Sequence, residues 1–111
     1  MENNYVMLSE GNKKYLLPAE NILRMEAERA YTIFYSKDGK QYVYPKTLGA
    51  VQKLLMHRIF FRVHRQHIIN LREVRFLQDA RCPSVVLSNN AVIAVAQRRR
   101  TELIRMLKKL R

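Results

Sequence analysis

The chain holds one cysteine, no tryptophan, three glycines and three prolines in 111 residues. A single thiol excludes a disulfide framework and a cysteine-based zinc site, and it suits a reducing compartment, the cytoplasm. Cys82 reads as a small packing residue. Three glycines leave no glycine-rich phosphate loop. No stretch approaches the roughly 18 apolar residues of a membrane span. Met1 to Ser9 is acidic and polar, without the basic-then-apolar order of a secretion signal. Acidic residues are scarce as well: 9 Asp+Glu stand against 21 Lys+Arg, a formal net charge of +12. That imbalance costs self-repulsion in a compact domain and suits a polyanionic partner, nucleic acid ahead of an anionic membrane surface. The length and a hydrophobic content of 48% fit one soluble, intracellular domain, residues 1–111, with a single modest core.

What is present is mostly strand pattern. Tyr5 to Leu8 and Tyr15 to Leu17 form a hairpin-like pair around Glu10-Gly11-Asn12-Lys13. Pro18 to Asn21 interrupts, and Ile22 to Ala27 then alternates as a strand. Glu28-Arg29-Ala30 is a polar corner before Tyr31 to Tyr35, which is rich in β-branched and aromatic residues. Asp38-Gly39 is a hairpin signal, with Gln41 to Tyr44 as the return strand. Thr47 can cap a helix reaching about His57, with Leu48, Val51, Leu54 and Leu55 as its apolar stripe. Glu73 to Leu77, Val85 to Leu87 and Ala91 to Val95 read as later strands, the last two separated by the turn Ser88-Asn89-Asn90. From Gln97 the period becomes helical, with Leu103, Met106, Leu107 and Leu110 on one face. The fold class is mainly β, with one short central helix and one terminal helix.

Between the helix and the later strands lies Phe60 to Asn70. Apolar Phe60-Phe61-Val63 and Ile68-Ile69 bracket the polar run His64-Arg65-Gln66-His67. Anchors on both sides hold such a run at the surface on a rigid mount, which lowers the entropy cost of recognition. The alternative is a solvated bulge between two strands. Basic charge is concentrated from His57 to Arg75, where Glu73 is the one acidic residue, and in the terminal helix, where Glu102 is. Arg65 and Arg98-Arg99-Arg100 fall where the chain leaves a strand. A guanidinium there can grip a phosphate or a guanine edge in a fork, as lysine cannot. Lys108, Lys109 and Arg111 read as a solvated face.

Nothing in the sequence assembles an active site. There is no nucleophile motif and no paired carboxylate. His64 and His67, three apart, fall on opposite faces of a strand, and no carboxylate or cysteine completes a metal site. The expectation is no enzyme, no metal and no cofactor.

Several ordered blocks resemble the LytTR DNA-binding domain family. Ile22-Leu23-Arg24-Met25-Glu26-Ala27, Tyr31-Thr32 and Asp38-Gly39 look like its "I-x-Y-I-E-A … Y-x-x-I … D-G" block. Leu48 to Leu55, Phe60-Phe61-Arg62-Val63-His64-Arg65 and Ile68-Ile69-Asn70-Leu71 look like its "L … L … F-x-R-V-H-R-S-x-I-V-N" signature. Ala91 to Val95 with Gln97-Arg98 resembles its closing "I-P-V-S-R" junction, so the likeness spans roughly residues 5 to 107. It implies an elongated β domain of a bacterial response-regulator type, whose loops enter successive major grooves of a promoter direct repeat and bend the DNA. By matching position, Tyr31, Arg65, Gln97 and Arg98 are the expected base readers. Arg29, Lys46, Arg62, Gln66, Arg99 and Arg100 are the expected backbone contacts, and His64 and Asn70 the structural residues at the site. The partners implied are double-stranded DNA and a second copy on the adjacent repeat.

The chain departs from the family pattern in three places. Gln66 stands where Ser is usual, Ala96-Gln97 stands where Ser-Arg is common, and the 111 residues include no receiver or membrane module, so the expectation is either a domain cut from a longer regulator or one that works without phosphorylation in the same polypeptide. The first function read from the sequence is therefore sequence-specific DNA binding in transcription regulation. An RNA- or ribosome-binding basic module is the alternative, and a protein-interaction module with a basic face is a third reading. RNA readers carry exposed aromatics on a sheet face, whereas Tyr31, Phe34, Tyr42 and Tyr44 lie in alternating runs that a core can absorb.

Overall fold

A computed structural model describes residues 5–55 and 59–110. His57 as the expected helix end and as a candidate ligand, Arg58 and Arg111 lie outside the described residues. Five strands form the central sheet: β3 (Ile22–Glu28), β4 (Tyr31–Ser36), β5 (Gln41–Tyr44), β6 (Phe60–His64) and β7 (His67–Asn70), in the order β5-β4-β3-β7-β6. A separate ribbon precedes it, β1 (Tyr5–Glu10) with β2 (Lys13–Pro18). A second sheet follows it, β8 (Val74–Gln78), β9 (Ser84–Leu87) and β10 (Val92–Ala94), with β9 in the middle. The helices are α1 (Leu48–Leu54) and α2 (Arg100–Lys109). Described strand pairs are antiparallel. The domain is moderately elongated, 45 × 35 × 25 Å along its principal axes.

Successive residues of a strand point to opposite faces, and the central sheet uses both. Ile68 turns to a core shared with Met25, Phe34, Leu8 and Leu17 of the ribbon, and Leu48 and Val51 of α1. Its neighbour Ile69 turns to a second core with Phe61, Val63, Val85, Ile93 and Leu103 of α2. The sheet is thus covered by α1 and the ribbon on one side, and by the second sheet and α2 on the other. Burial on both faces explains why β6 and β7 read as near-continuous apolar runs around a polar centre.

The turns follow local chemistry. Gly11, with φ of +60°, opens the two-residue turn of the ribbon, and Gly39, with φ of +90°, lies in the four-residue loop that joins β4 to β5. Thr47 caps α1 by accepting a hydrogen bond from Ala50 N at 3.2 Å. The helix stops at Leu54, short of the expected His57, and Leu54 is 63% exposed, so the apolar stripe ends with Val51 and the half-buried Leu55. Leu110 likewise lies outside the core. Cys82 is exposed rather than packed, because Pro83 takes the buried position in that loop.

Candidate nucleic-acid interface

Register places five strand ends together. Glu28 pairs with Tyr31, Thr32 with Tyr44, Glu26 with His67, and His64 with His67. The Arg29–Ala30 corner, the end of β5 and the Arg65–Gln66 turn therefore lie at one end of the central sheet. Two backbone hydrogen bonds tie neighbouring tips there: Ala27 N donates to Gln66 O at 3.0 Å, and Ala96 N donates to Val63 O at 2.8 Å. The second bond brings the junction between β10 and α2 alongside β6. Thr32 Oγ1 donates to Lys46 O at 2.8 Å, which holds Lys46 beside the Tyr31 corner.

Between the Arg65–Gln66 turn and the junction lies a cleft of about 450 Å³, lined by Gln52, Arg62, His64, Arg65, Ala96, Arg98 and Arg99. Arg65 and Arg98 are exposed and have no side-chain partner among the described residues. Arg99 is held: its Nε donates to Arg62 O at 3.0 Å, its guanidinium lies 4.7 Å from the centre of the Phe61 ring, and Nη1 meets Glu102 Oε1 at 3.0 Å. Arg62 is half-buried. Burial, and after it the like charge of Arg99, pulls its guanidinium below the ordinary arginine value.

The remaining candidates divide. Tyr31 is 49% exposed at its corner, and Arg29, Lys46 and Gln66 are exposed at the same end. Gln97 and Arg100 are engaged with the β8–β9 connection: Gln97 Nε2 donates to Arg81 O, and Arg100 forks onto both carboxylate oxygens of Asp79. That fork holds the Asp79 carboxyl below its usual range. His64 Nδ1 accepts from Gln66 N at 3.1 Å, so the imidazole braces the turn it precedes. Asn70 is fully buried, donating to Ile22 O and accepting from Arg72 N, each at 2.9 Å. It sits at the far end of β7, away from the cleft, and serves the fold there.

His64 and His67 do not lie on opposite faces. A register shift between Arg62 and His64 makes them cross-strand partners, with ring centroids 5.3 Å apart. No group of three His, Cys, Asp or Glu residues able to hold a metal ion occurs among the described residues. Among the described residues no helix is long and apolar enough to cross a membrane. Gln52 and Asp79 were absent from the sequence-based candidates. Each acts on an arginine distant in sequence, so no local pattern marks either of them.

A mainly β domain that gathers exposed arginines on loop tips at one end is built to meet a polyanion. The family model for the LytTr DNA-binding domain matches residues 12–108, and the chain belongs to that family. Its fold is also that of a solved structure from Bacillus cereus, described as the LytTr DNA-binding domain of a methyl-accepting/DNA response regulator. The two align with a TM-score of 0.78 at 18% identity, over 96% of this chain and 98% of that one. No curated protein sequence matches the chain significantly. The family is one of DNA-binding domains rather than catalysts, which makes DNA binding in transcription regulation the activity of this chain.

Proposed function

We propose that this domain reads a promoter direct repeat through its loop tips, with Arg65 and Arg98 as the central base readers. The observation that carries the reading is the cleft itself: two exposed, unpartnered guanidiniums on neighbouring backbone-tethered tips. Arginine in the major groove can grip guanine O6 and N7 together, which gives sequence discrimination as well as charge. Tyr31 reads from the neighbouring corner. Gln97 joins after releasing Arg81 O. Arg29, Lys46, Gln66, Arg99 and Arg100 contact the phosphates, Arg100 by exchanging Asp79 for a phosphate. Neither helix supplies these tips, so loops rather than a recognition helix enter the groove, and two copies occupy adjacent repeats.

Selection of bound duplexes from a random pool tests the repeat, and Arg65→Ala tests the reader. The variant should lose about 1–3 kcal/mol on the selected site and relax preference at one base step. Equal losses on selected and random DNA would mean that Arg65 contributes charge alone. Recovery of RNA instead of duplex DNA would favour the alternative module.

A further inference from the structure

We propose that Arg62 and Gln52 form a clamp that sets the Arg65–Gln66 turn, which makes Gln52 on α1 a positioning residue for DNA recognition. The inference rests on the base-reading role of Arg65 and adds the residues that aim it.

The turn needs outside help. His64 pairs with His67, so Arg65 and Gln66 form a two-residue connection. Favoured turns of that length take positive φ at one or both central residues, and use Gly, Asn or Asp there. Neither Arg65 nor Gln66 has positive φ, and neither is one of those residue types. A turn without that twist splays its strands unless other contacts hold it. Ala27 N on one side and His64 Nδ1 on the other supply two contacts.

Arg62 supplies the rest with a single planar group. Its Nη2 donates to Arg65 O, its Nε to His64 O at 3.4 Å, and its Nη1 to Gln52 Oε1 at 2.9 Å. Two acceptors belong to the turn and the third to α1, so the guanidinium braces the turn against the helix. Three of the five guanidinium N–H groups are spent in this way, so the clamp is proposed as the main role of Arg62 ahead of the backbone contact expected from sequence. The choice of glutamine is also physical. A neutral amide oxygen holds the guanidinium while leaving the cleft its full positive charge, whereas a carboxylate would hold it and subtract one charge.

The test uses the whole chain and two readouts. In 15N spectra of the protein without DNA, Gln52→Ala should move the Arg65 and Gln66 amide signals. On the selected duplex, it should reduce discrimination at the base pair read by Arg65 by about threefold to tenfold, a fraction of what a complete arginine–guanine fork supplies. Gln52→Glu should restore that discrimination. Unmoved amide signals would overturn the clamp whatever the binding data show. Moved signals with full discrimination, where Arg65→Ala loses it, would overturn the positioning role. Moved signals with an indifferent Arg65→Ala would uphold the clamp and remove Arg65 as a reader. Gln52 is exposed on α1, so the variants keep the core intact.

Discussion

Replacing Arg29 by Gly should stabilise the domain and weaken its hold on DNA in the same step. Arg29 and Ala30 form the two-residue turn between β3 and β4, and Arg29 has φ of +57° while Ala30 does not go positive. That pattern belongs to a turn that prefers Gly at its first central position. The β1–β2 turn has the same length and the same sign of φ, and there the residue is Gly11. A side chain at positive φ costs about 1–2 kcal/mol. Glycine returns roughly 0.5–1 kcal/mol of that through the extra freedom of the unfolded chain. The net gain is about 0.5–1 kcal/mol, or a rise in Tm of roughly 2–5 °C for a domain near this size. Binding moves the other way, since a lost phosphate contact lowers the log-log salt slope by about 0.9. Thermal unfolding and a salt titration of duplex binding read the two effects separately. A Tm that stays level or falls would refute the strain, and an unchanged slope would place Arg29 away from the phosphates. Arg29→Asn, which removes the charge but tolerates positive φ, should show the binding loss as well.

Two further outcomes follow from the paired and buried groups. Asp79→Asn should remove the carboxylate that Arg100 gives up on binding and so tighten binding to all duplexes, with little change in Tm because the pair is exposed. Unaltered binding would show that Arg100 does not reach DNA. His67 has a buried Nδ1 with no hydrogen-bond partner among the described residues, and its pKa lies below the ordinary 6.5. Burial is the main cause, with His64 and Arg24 adding to it and Glu26 opposing. The folded state therefore favours neutral His67 while the unfolded chain takes up a proton near pH 6.5. Its stabilisation is present above that pH and is lost as pH falls below it. Urea midpoints at pH 7.5 and 5.5 should differ more for the native sequence than for His67→Gln, and equal differences would assign the effect to other groups.

The strands were legible because their signals are local. Alternation marks β3, β-branched and aromatic residues mark β4, a short apolar run marks β9, and Gly11, Gly39 and Asn90 mark turns by the conformations they permit. What failed was non-local. The spacing of His64 and His67 suggested opposite faces, but a register shift between Arg62 and His64 and a two-residue turn place them across from each other. Leu54 fits the apolar stripe of α1, yet the helix ends there and leaves it in solvent. Cys82 resembles a packing residue until Pro83 is seen to occupy the interior. Within the cleft, Arg65 and Arg98 stand out in sequence as arginines at strand ends. Gln52 is ten residues from Arg62, and Asp79 is 21 from Arg100, and only the fold brings each pair together.

The two backbone bonds between neighbouring tips, Ala27 to Gln66 and Ala96 to Val63, involve no side chain at all. The gaps from corner to turn and from turn to junction are thus fixed by peptide groups, which any residue but proline can provide. On the proposed reading, substitution at Tyr31, Arg65 or Arg98 would change the bases that a tip favours and leave this spacing untouched. Base preference and spacing would then be separable properties of this domain. The first can drift one residue at a time, whereas the second changes only if a strand end is lengthened or shortened.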